Sequence, residues 1–563
     1  MSRPRVLAFG SAILMVVMSA LLAPSARASS YVPISGAGST WSQTAIKAWD
    51  ANVAQYNMTV NYAGGGSTVG RNDFREGTVD WAGSDIPYGV KDGNNVDPPP
   101  SRGFVYIPVV AGGTTFMYNL KIGNSRVTNL RLSGSTITGI FTGTITKWND
   151  PAIAADNPGL TLPAIPVVPV VRSDGSGATA QLTQWMVATQ GSAWNSYCAK
   201  VGRSPCTQTS AYPVLSGSSM VGQPGDQGVS GYVAQAQAVG SIGYVEYSYA
   251  LLTGFPVAKM LNSAGYYTEP TPGHVAVSLL AAKVRGVDDS TPASDPNYLT
   301  QDLASVYTNS DPRTYPLSSY SYMILPTKDE MGFTDSKGYT LGDYAKYVLC
   351  QGQNQVDALG YSALPINLVQ RAFDQVKKVP GSAIGNLSIS SCNNPTFSTD
   401  GTNTLAKNDP QPATCDKKGS TQCTTGTGGA AGSPNNSSGG GSSGGGSSGG
   451  GSSGGGSSGG GSSGGGSSGG GGASAGGASG NATAAAGAAC DPDLGCSAGG
   501  SSGSGGGGTG PGSGQVLAKP VSTPVSLGDS TAVVLMVIAA MLLVGLGLGP
   551  AVITQLVRKN RRI

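Results

Sequence analysis

Histidine and charged side chains are scarce in this sequence of 563 residues. His274 is the only histidine, and Asp, Glu, Lys and Arg together make up 11% of the chain. The sequence has 8 cysteines, but no two of them form a CxxC pair. A Cys/His metal centre needs several such ligands at close spacing. We therefore expect no metal site and no cofactor.

A basic surface is also missing. The formal net charge is +3, and seven of the 33 basic residues lie at the two ends of the chain. No basic stripe remains that could follow a phosphate backbone, so nucleic acid is not an expected partner. The chain has no GxxxxGK[ST] P-loop, and residues 30–398 contain no GxSxG nucleophile elbow. These absences favour a binding protein over an enzyme.

Residues 1–28 are predicted to be a signal peptide. Arg3 and Arg5 precede a short apolar run at 7–22, and Ala-Arg-Ala at 26–28 has small residues where a signal peptidase reads them. Cleavage is expected after the second alanine. A transmembrane helix is the alternative interpretation of this run, but the run is short for a span.

The other end of the chain is predicted to hold a membrane anchor. Residues 531–557 are almost wholly apolar and carry no charge, which is long enough for a transmembrane helix. The tail at 558–563 is basic and is expected on the cytoplasmic side. The two ends together predict an exported body at the cell surface, anchored in the cell membrane by one C-terminal helix.

Residues 399–527 are rich in Gly, Ser, Ala and Thr and include a GGGSS repeat at 437–472. Such a segment cannot bury enough apolar surface to offset the entropy of ordering, so it is predicted to be a disordered linker. A coil of ~100 residues has an end-to-end distance of about 55 Å. The linker would hold a domain away from a membrane.

The cysteines of an exported chain are expected to form disulfides. The spacings favour Cys198–Cys206, Cys415–Cys423 and Cys490–Cys496 as local loops, which leaves Cys350–Cys392. Other pairings stay open at this point.

The globular part, residues 30–398, alternates predicted strands and helices. Residues 40–56 place apolar side chains at three- and four-residue spacing, typical of an amphipathic helix, and residues 58–63 alternate as a strand. The alternation predicts an α/β fold. Because about 370 residues are more than a single hydrophobic core usually holds, we expect two lobes.

Three glycine- and hydroxyl-rich turns lead into predicted helices. They are GAGST at 36–40, GGGST at 64–68 and RSDGSG at 172–177. The first amides of a helix lack internal acceptors and the helix dipole adds positive charge, so such turns can bind an anion. Arg172 could add a bidentate contact. Helix capping and a structural ion pair are the alternative interpretations of these turns and of Arg172.

Asp85 restricts the choice of anion. An ionised carboxylate only accepts hydrogen bonds, so it can receive a P–OH proton but would face a fully ionised sulfate oxygen without a donor between them. The residue therefore favours a protonated oxyanion such as phosphate. A helix cap or a salt bridge between lobes is the alternative role.

These motifs resemble those of the phosphate-binding proteins of bacterial ABC transporters. The resemblance covers residues 34–249 and a closing segment at 359–365, and the motifs that carry it are GAGSTW, NYAGGGST, VDWAGSD, FTGTITKWNDPAI, VVRSDGSG and GSIGYVEYSYA. It implies a two-lobed periplasmic-binding-protein-like fold of type II with a two-strand hinge. Lobe one would comprise residues 30–109 and 250–398, and lobe two residues 110–249.

The resemblance also implies a ligand set and a function. The phosphate-binding positions would be Thr40, Trp41, Ser67, Asp85, Arg172, Asp174, Ser176, Gly177 and Ala178, with Asp174 orienting Arg172. Ala178 stands where the family usually has threonine, so one hydroxyl donor is lost unless Thr179 replaces it. The stretch 260–316 looks enlarged. The implied function is capture of inorganic phosphate and its delivery to an ABC permease.

Two other functions stay open. Ser176 could act as the nucleophile of a surface phosphatase on the same fold, and the long linker would also suit a wall-associated adhesion or structural protein. The family resemblance favours a binding protein without enzymatic activity.

Overall fold

The computed structural model describes residues 31–398 and 401–433. The predicted signal peptide, the C-terminal helix at 531–557, the basic tail at 558–563 and the linker beyond residue 433 lie outside the described residues. Within the described ranges, no helix is long and apolar enough to cross a bilayer.

The strands of the described residues are numbered in chain order. They are β1 Ile34–Gly38, β2 Val60–Gly64, β3 Trp81–Ser84, β4 Lys91–Asp92, β5 Asn95–Val96, β6 Phe104–Tyr118, β7 Lys121–Ile122, β8 Ser125–Arg126, β9 Arg131–Leu132, β10 Val168–Arg172, β11 Val221–Gln223, β12 Ser241–Glu246, β13 Val257–Leu261, β14 Tyr267–Thr268, β15 Lys283–Val284, β16 Gln301–Asp302 and β17 Ser318–Pro326.

Helices alternate with these strands along most of the chain. The α-helices are Gln43–Val53, Ser67–Glu76, Gly134–Phe141, Pro151–Asp156, Gly177–Thr189, Gly191–Lys200, Gly225–Val233, Tyr247–Thr253, Pro272–Leu279, Ala304–Tyr307, Asp335–Leu349, Gln353–Val356, Ile366–Val376, Ile389–Cys392 and Thr404–Asn408. Short 3-10 helices are Ala54–Tyr56, Asp357–Leu359, Thr414–Asp416 and Gly428–Ala430. The predicted α/β class is confirmed.

The long strand β6 is shared by two halves of the sheet. In the first half the strand order is β2-β1-β3-β17-β6, and in the second it is β11-β10-β12-β6-β13. β17 pairs with β6 from Phe104 to Gly113, and β12 pairs with it from Thr114 to Tyr118. We call the two halves, with their helices, lobe one and lobe two. β6 and β17 run side by side where the lobes meet.

The lobe boundaries differ from the prediction. The pairing partner of β6 changes between Gly113 and Thr114, a few residues later than the predicted boundary after residue 109. In addition, β13 pairs with β6 at Phe116 and Met117, on the edge that β12 leaves open. Residues 257–268 therefore belong to lobe two, although the prediction placed them in lobe one. Alternation of elements cannot show which edge of a strand a later strand will cover.

In the first helix, the apolar residues at three- to four-residue spacing form the buried face. Gln43–Val53 buries Ala45, Trp49 and Val53, which lie on one face at three- to four-residue spacing. The helix begins at Gln43 and not at residue 40, because the preceding residues form a bend that leads out of β1.

Residues 401–433, here called the C-terminal extension, are ordered against the domain, so the predicted disordered linker is wrong for this stretch. Lys259 Nζ lies 2.7 Å from a carboxylate oxygen of Asp416, and Asn129 Nδ2 donates to the Cys423 carbonyl at 2.6 Å. Arg131, only 1% exposed, donates through Nη1 to the Thr421 carbonyl at 2.8 Å. Specific polar contacts hold this segment, and composition alone does not reveal them.

Three predicted disulfides are confirmed. Cys198–Cys206, Cys350–Cys392 and Cys415–Cys423 are bonded, with Cα–Cα distances of 5.7, 4.6 and 5.0 Å. Cys490 and Cys496 lie outside the described residues. The bond at 415–423 closes a loop within the C-terminal extension, which helps to explain why so polar a segment is ordered.

The C-terminal extension should contribute measurably to stability. In a chain that ends at residue 400, buried Arg131 loses carbonyl acceptors, and Lys259 loses the carboxylate of Asp416. Losing a hydrogen bond to a charged group costs about 1.5–3 kcal/mol, so we expect a loss of at least about 1.5 kcal/mol relative to a chain that ends at residue 433. Urea unfolding of the two chains measures this difference. Equal midpoints and slopes would show that the extension does not stabilise the fold.

Candidate functional site

The first two glycine-rich turns lie side by side because of strand register. β1 pairs in parallel with both β2 and β3, and Gly38 is opposite Gly64 on one side and Gly83 on the other. A Cβ at Gly38 would lie 2.0 Å from the Gly83 carbonyl oxygen, and φ of Gly38 is +137°, so only glycine fits there. The carboxyl ends of the three strands therefore bring Thr40, Ser67 and Asp85 to one edge of lobe one.

The third turn lies opposite, in lobe two. Arg172 ends β10, and Ser176 caps the helix Gly177–Thr189 by accepting from the Thr179 amide at 3.2 Å. The Thr68 amide of lobe one donates to the Gly175 carbonyl at 3.0 Å, so the turns touch across the cleft. A Cβ at Gly177 would lie 2.5 Å from atoms of both Asp85 and Ser67. The structure thus brings together residues from all three turns.

Asp85 is a buried acceptor of this cluster, 2% exposed, and three hydroxyls donate to its carboxylate. Its Oδ1 accepts from the hydroxyls of Ser39 and Ser321, both at 2.7 Å, and its Oδ2 accepts from Ser67 at 2.9 Å. Burial raises the pKa of Asp85, while the three serine hydroxyls oppose that rise. Oδ2 has a lone pair left, and it lies next to Gly177.

Arg172 is held by two carboxylates. Asp174 takes a bidentate contact, with Nε–Oδ1 at 2.7 Å and Nη2–Oδ2 at 2.5 Å, so Asp174 orients the guanidinium as expected. Asp226 accepts from Nη1 at 2.5 Å. Burial lowers the pKa of Arg172, but Asp226 and Asp174 outweigh this and raise it overall, so the side chain is a permanent cation. Two of its N–H bonds remain for another acceptor.

Backbone amides complete the cluster. In the described part of the chain, no acceptor meets hydrogen-bond geometry for the amides of Thr40, Trp41, Ser67, Gly177 and Ala178. All of these residues are buried. A buried amide without a partner is costly, so a set of them on neighbouring turns is typical of a site that binds an oxyanion.

Two hydroxyls that the sequence offered as donors point elsewhere. The Thr179 hydroxyl is hydrogen-bonded to the hydroxyl of buried Tyr244, at 2.6 Å. The Thr40 hydroxyl donates to Asp226 Oδ2 at 2.6 Å. The donors that remain around the cluster are therefore mainly backbone amides and Arg172.

Sequence reasoning missed three residues of the cluster. Asp226 follows β11 and lies in the first turn of another helix, within a Gly-Asp-Gln-Gly sequence, so the strand–helix pattern could have identified it. Ser39 is adjacent to Thr40 in the first turn, and the sequence does not show which of the two hydroxyls belongs to the site. Ser321 lies in the middle of β17, and nothing in its local sequence indicates a site.

Asp85 should make the fold less stable as pH rises. Because burial raises its folded pKa, the group contributes full stability below its unfolded pKa, and this contribution is lost as pH rises through the folded pKa. Asp85→Asn imitates the neutral form. We expect its stability advantage over the parent to be small near pH ~4 and to grow towards pH ~8. Urea unfolding in phosphate-free buffer tests this, with exposed Asp374→Asn as control. An advantage that shrinks with pH would contradict it.

Comparison with known proteins gives the family of this chain. The PBP superfamily domain matches residues 23–351. The phosphate-binding protein PstS of Xylella fastidiosa is 33% identical over 353 residues, covering 62% of this chain and 86% of that protein. Phosphate-binding protein PstS 3 of Mycobacterium leprae is 29% identical over 315 residues, covering 56% of this chain and 77% of that protein. The solved phosphate-binding protein from Stenotrophomonas maltophilia is 18% identical, covers 62% of this chain and 96% of that chain, and has a TM-score of 0.45.

The domain match spans more than half of the 563 residues, and the Xylella relative is matched over most of its own length. The resemblance carried by the three turns is thereby confirmed at the level of the family. The chain belongs to the PBP superfamily and, within it, to the family of PstS phosphate-binding proteins.

Proposed function

We propose that this protein captures inorganic phosphate between its two lobes, outside the cytoplasm, and delivers it to an ABC permease. The observation that carries the proposal is the set of five buried amides without acceptors, on turns of both lobes, around Arg172 and Asp85. The relatives named as phosphate-binding proteins support the same ligand. The proposed ligand contacts are Thr40, Trp41, Ser67, Asp85, Arg172, Ser176, Gly177 and Ala178, with Asp174 behind Arg172.

Asp85 gives the site its proposed selectivity. Three serine hydroxyls already donate to its carboxylate, and the remaining lone pair on Oδ2 faces the start of the helix at Gly177. A phosphate that carries a proton can donate to this oxygen. Sulfate has no proton at neutral pH, so its oxygen would meet the carboxylate without a donor between them.

The two-strand connection supports capture by lobe movement. β6 passes through both lobes, and β17 pairs with it up to Gly113, where β6 crosses from lobe one into lobe two. Opening about these strands would separate Thr40 and Ser67 of lobe one from Arg172 and Gly177 of lobe two. Phosphate would be bound on closure and released to the permease on opening.

The location of the protein is part of the proposal. The signal peptide at 1–28 would direct export, the helix at 531–557 would anchor the chain, and the linker beyond residue 433 would separate the domain from the membrane. These segments lie outside the described residues, and their sequence patterns support the assignment.

A hydrolase on this fold is less well supported. The Ser176 hydroxyl accepts from the Thr179 amide as a helix cap, which is a structural role. His274, the only histidine, contacts the Glu269 carbonyl at 2.8 Å, in the segment after lobe two. Turnover of a phosphate ester that Ser176→Ala abolishes would favour the enzyme. Nothing in the described residues favours an adhesion role.

Calorimetry with phosphate and with sulfate tests the ligand and the role of Asp85. We expect the full chain to bind phosphate and to discriminate against sulfate by at least about a thousandfold, because a buried acceptor without a donor is the costly kind of mismatch. Asp85→Asn, whose amide can donate, should lose most of this discrimination. Absence of heat with phosphate would refute the ligand, and equal affinity for the two anions would refute the role of Asp85.

Arg172 should be a direct ligand. Losing a hydrogen bond to a charged group costs about 1.5–3 kcal/mol, so Arg172→Ala should weaken phosphate binding at least about tenfold. Arg172→Lys keeps the charge but not the bidentate geometry and should recover only part of the loss. Arg126→Ala, which removes a cation that lies over the Phe255 ring, is the control and should bind normally. Unchanged affinity in Arg172→Ala would make Arg172 part of the scaffold.

A further inference from the structure

Asp226 occupies donors that an oxyanion in this site would use. Its Oδ2 accepts from the Thr40 hydroxyl at 2.6 Å and from Arg172 Nη1 at 2.5 Å. Its Oδ1 accepts from the Glu246 amide at 2.9 Å. The side chain is fully buried and lies in the first turn of the helix Gly225–Val233, where the helix dipole favours a negative charge. The carboxylate is thus built into the anion-binding cluster.

The contact also joins the two lobes. Thr40 follows β1 of lobe one, whereas Arg172 and Asp226 belong to lobe two. The Asp226 amide donates back to the Thr40 hydroxyl oxygen at 3.1 Å, which makes the cross-lobe contact reciprocal. One carboxylate therefore bridges a donor from each lobe, as a captured phosphate would.

Arg172 does not need Asp226 for its orientation. Asp174 already fixes the guanidinium through two parallel hydrogen bonds and is itself held by the Gly225 amide at 2.9 Å. The contact with Asp226 adds a third hydrogen bond and a second negative charge beside the same cation. What it adds is competition for a donor.

Building on the function proposed above, we infer that Asp226 is an internal competitor for phosphate that lowers the affinity of the site. Its carboxylate engages the Thr40 hydroxyl and one Arg172 N–H, and its charge repels a second anion nearby. Capture of phosphate requires these donors to be shared or exchanged. The same bridge favours closed lobes without the ligand. The consequence is weaker retention and easier release to a permease.

Asp226→Asn tests this inference, because it keeps the shape and removes the charge. We expect calorimetry on the full chain to show phosphate binding at least tenfold tighter than in the parent. Sulfate affinity should rise by a similar factor, leaving the phosphate-to-sulfate ratio unchanged because Asp85 is intact. In phosphate-free buffer, the melting temperature should fall because the bridge between lobes is weakened. A merely structural defect would lower both stability and affinity.

Asp156→Asn is the matched control. Asp156 is also a buried carboxylate of lobe two, and it accepts from the Ser133 amide, the Thr136 hydroxyl and the Tyr267 hydroxyl, at 2.7, 2.7 and 2.8 Å. Removing its charge should leave phosphate affinity within twofold of the parent.

The outcomes separate the inference from the function on which it rests. If the parent chain gives no heat with phosphate, the proposed function fails. If the parent binds phosphate and Asp226→Asn binds it equally or more weakly, the function stands and the internal competitor is refuted. A gain of similar size in Asp156→Asn would also refute it, because the effect would then follow net charge and not the position of Asp226.

Discussion

The buried carboxylate of Asp85 is the interaction on which the arrangement of lobe one depends. It accepts from Ser39 of the first turn, Ser67 of the second and Ser321 of β17, while Gln181 of lobe two donates to its backbone carbonyl at 2.9 Å. Burying a carboxylate away from water is costly unless hydrogen-bond donors of the protein replace the water. Because its donors come from separate elements, satisfying Asp85 also positions the turns that surround the anion.

An anion site with more carboxylates than cations is unusual at first sight. Asp85, Asp174 and Asp226 are grouped with one guanidinium, that of Arg172. The attraction for an anion therefore rests largely on backbone amides at helix starts, which carry partial positive charge. The three carboxylates differ in role: Asp174 orients Arg172, Asp85 is proposed to accept the proton of the ligand, and Asp226 is proposed to limit affinity.

The C-terminal extension changes the picture of how the domain ends. It follows the segment that the Cys350–Cys392 bond ties to lobe one. Arg313 donates to its Asp409 carbonyl at 3.1 Å, and further along the chain it contacts Arg131 and Lys259 of lobe two. The extension thus contacts both lobes on its way along the domain. Its order comes from cations of the domain that bind its carbonyl and carboxylate oxygens, and the Gly- and Thr-rich composition gives no sign of this.

Local sequence determined much of the site. The three turns, Arg172 with Asp174 two residues later, the two local disulfides in the described residues and the first amphipathic helix all follow from spacing within short stretches or from a family resemblance carried by them. The Cys350–Cys392 bond followed only as the pair that the local loops left over. Only the tertiary structure could decide the contacts made over long separations: Ser321 on Asp85, Thr179 on Tyr244, Asp226 between Thr40 and Arg172, and the extension on Arg131. The reason is physical. A turn or a helix start is specified by dihedral preferences and neighbouring side chains, whereas the partner of a buried polar group is decided by which distant elements share its burial.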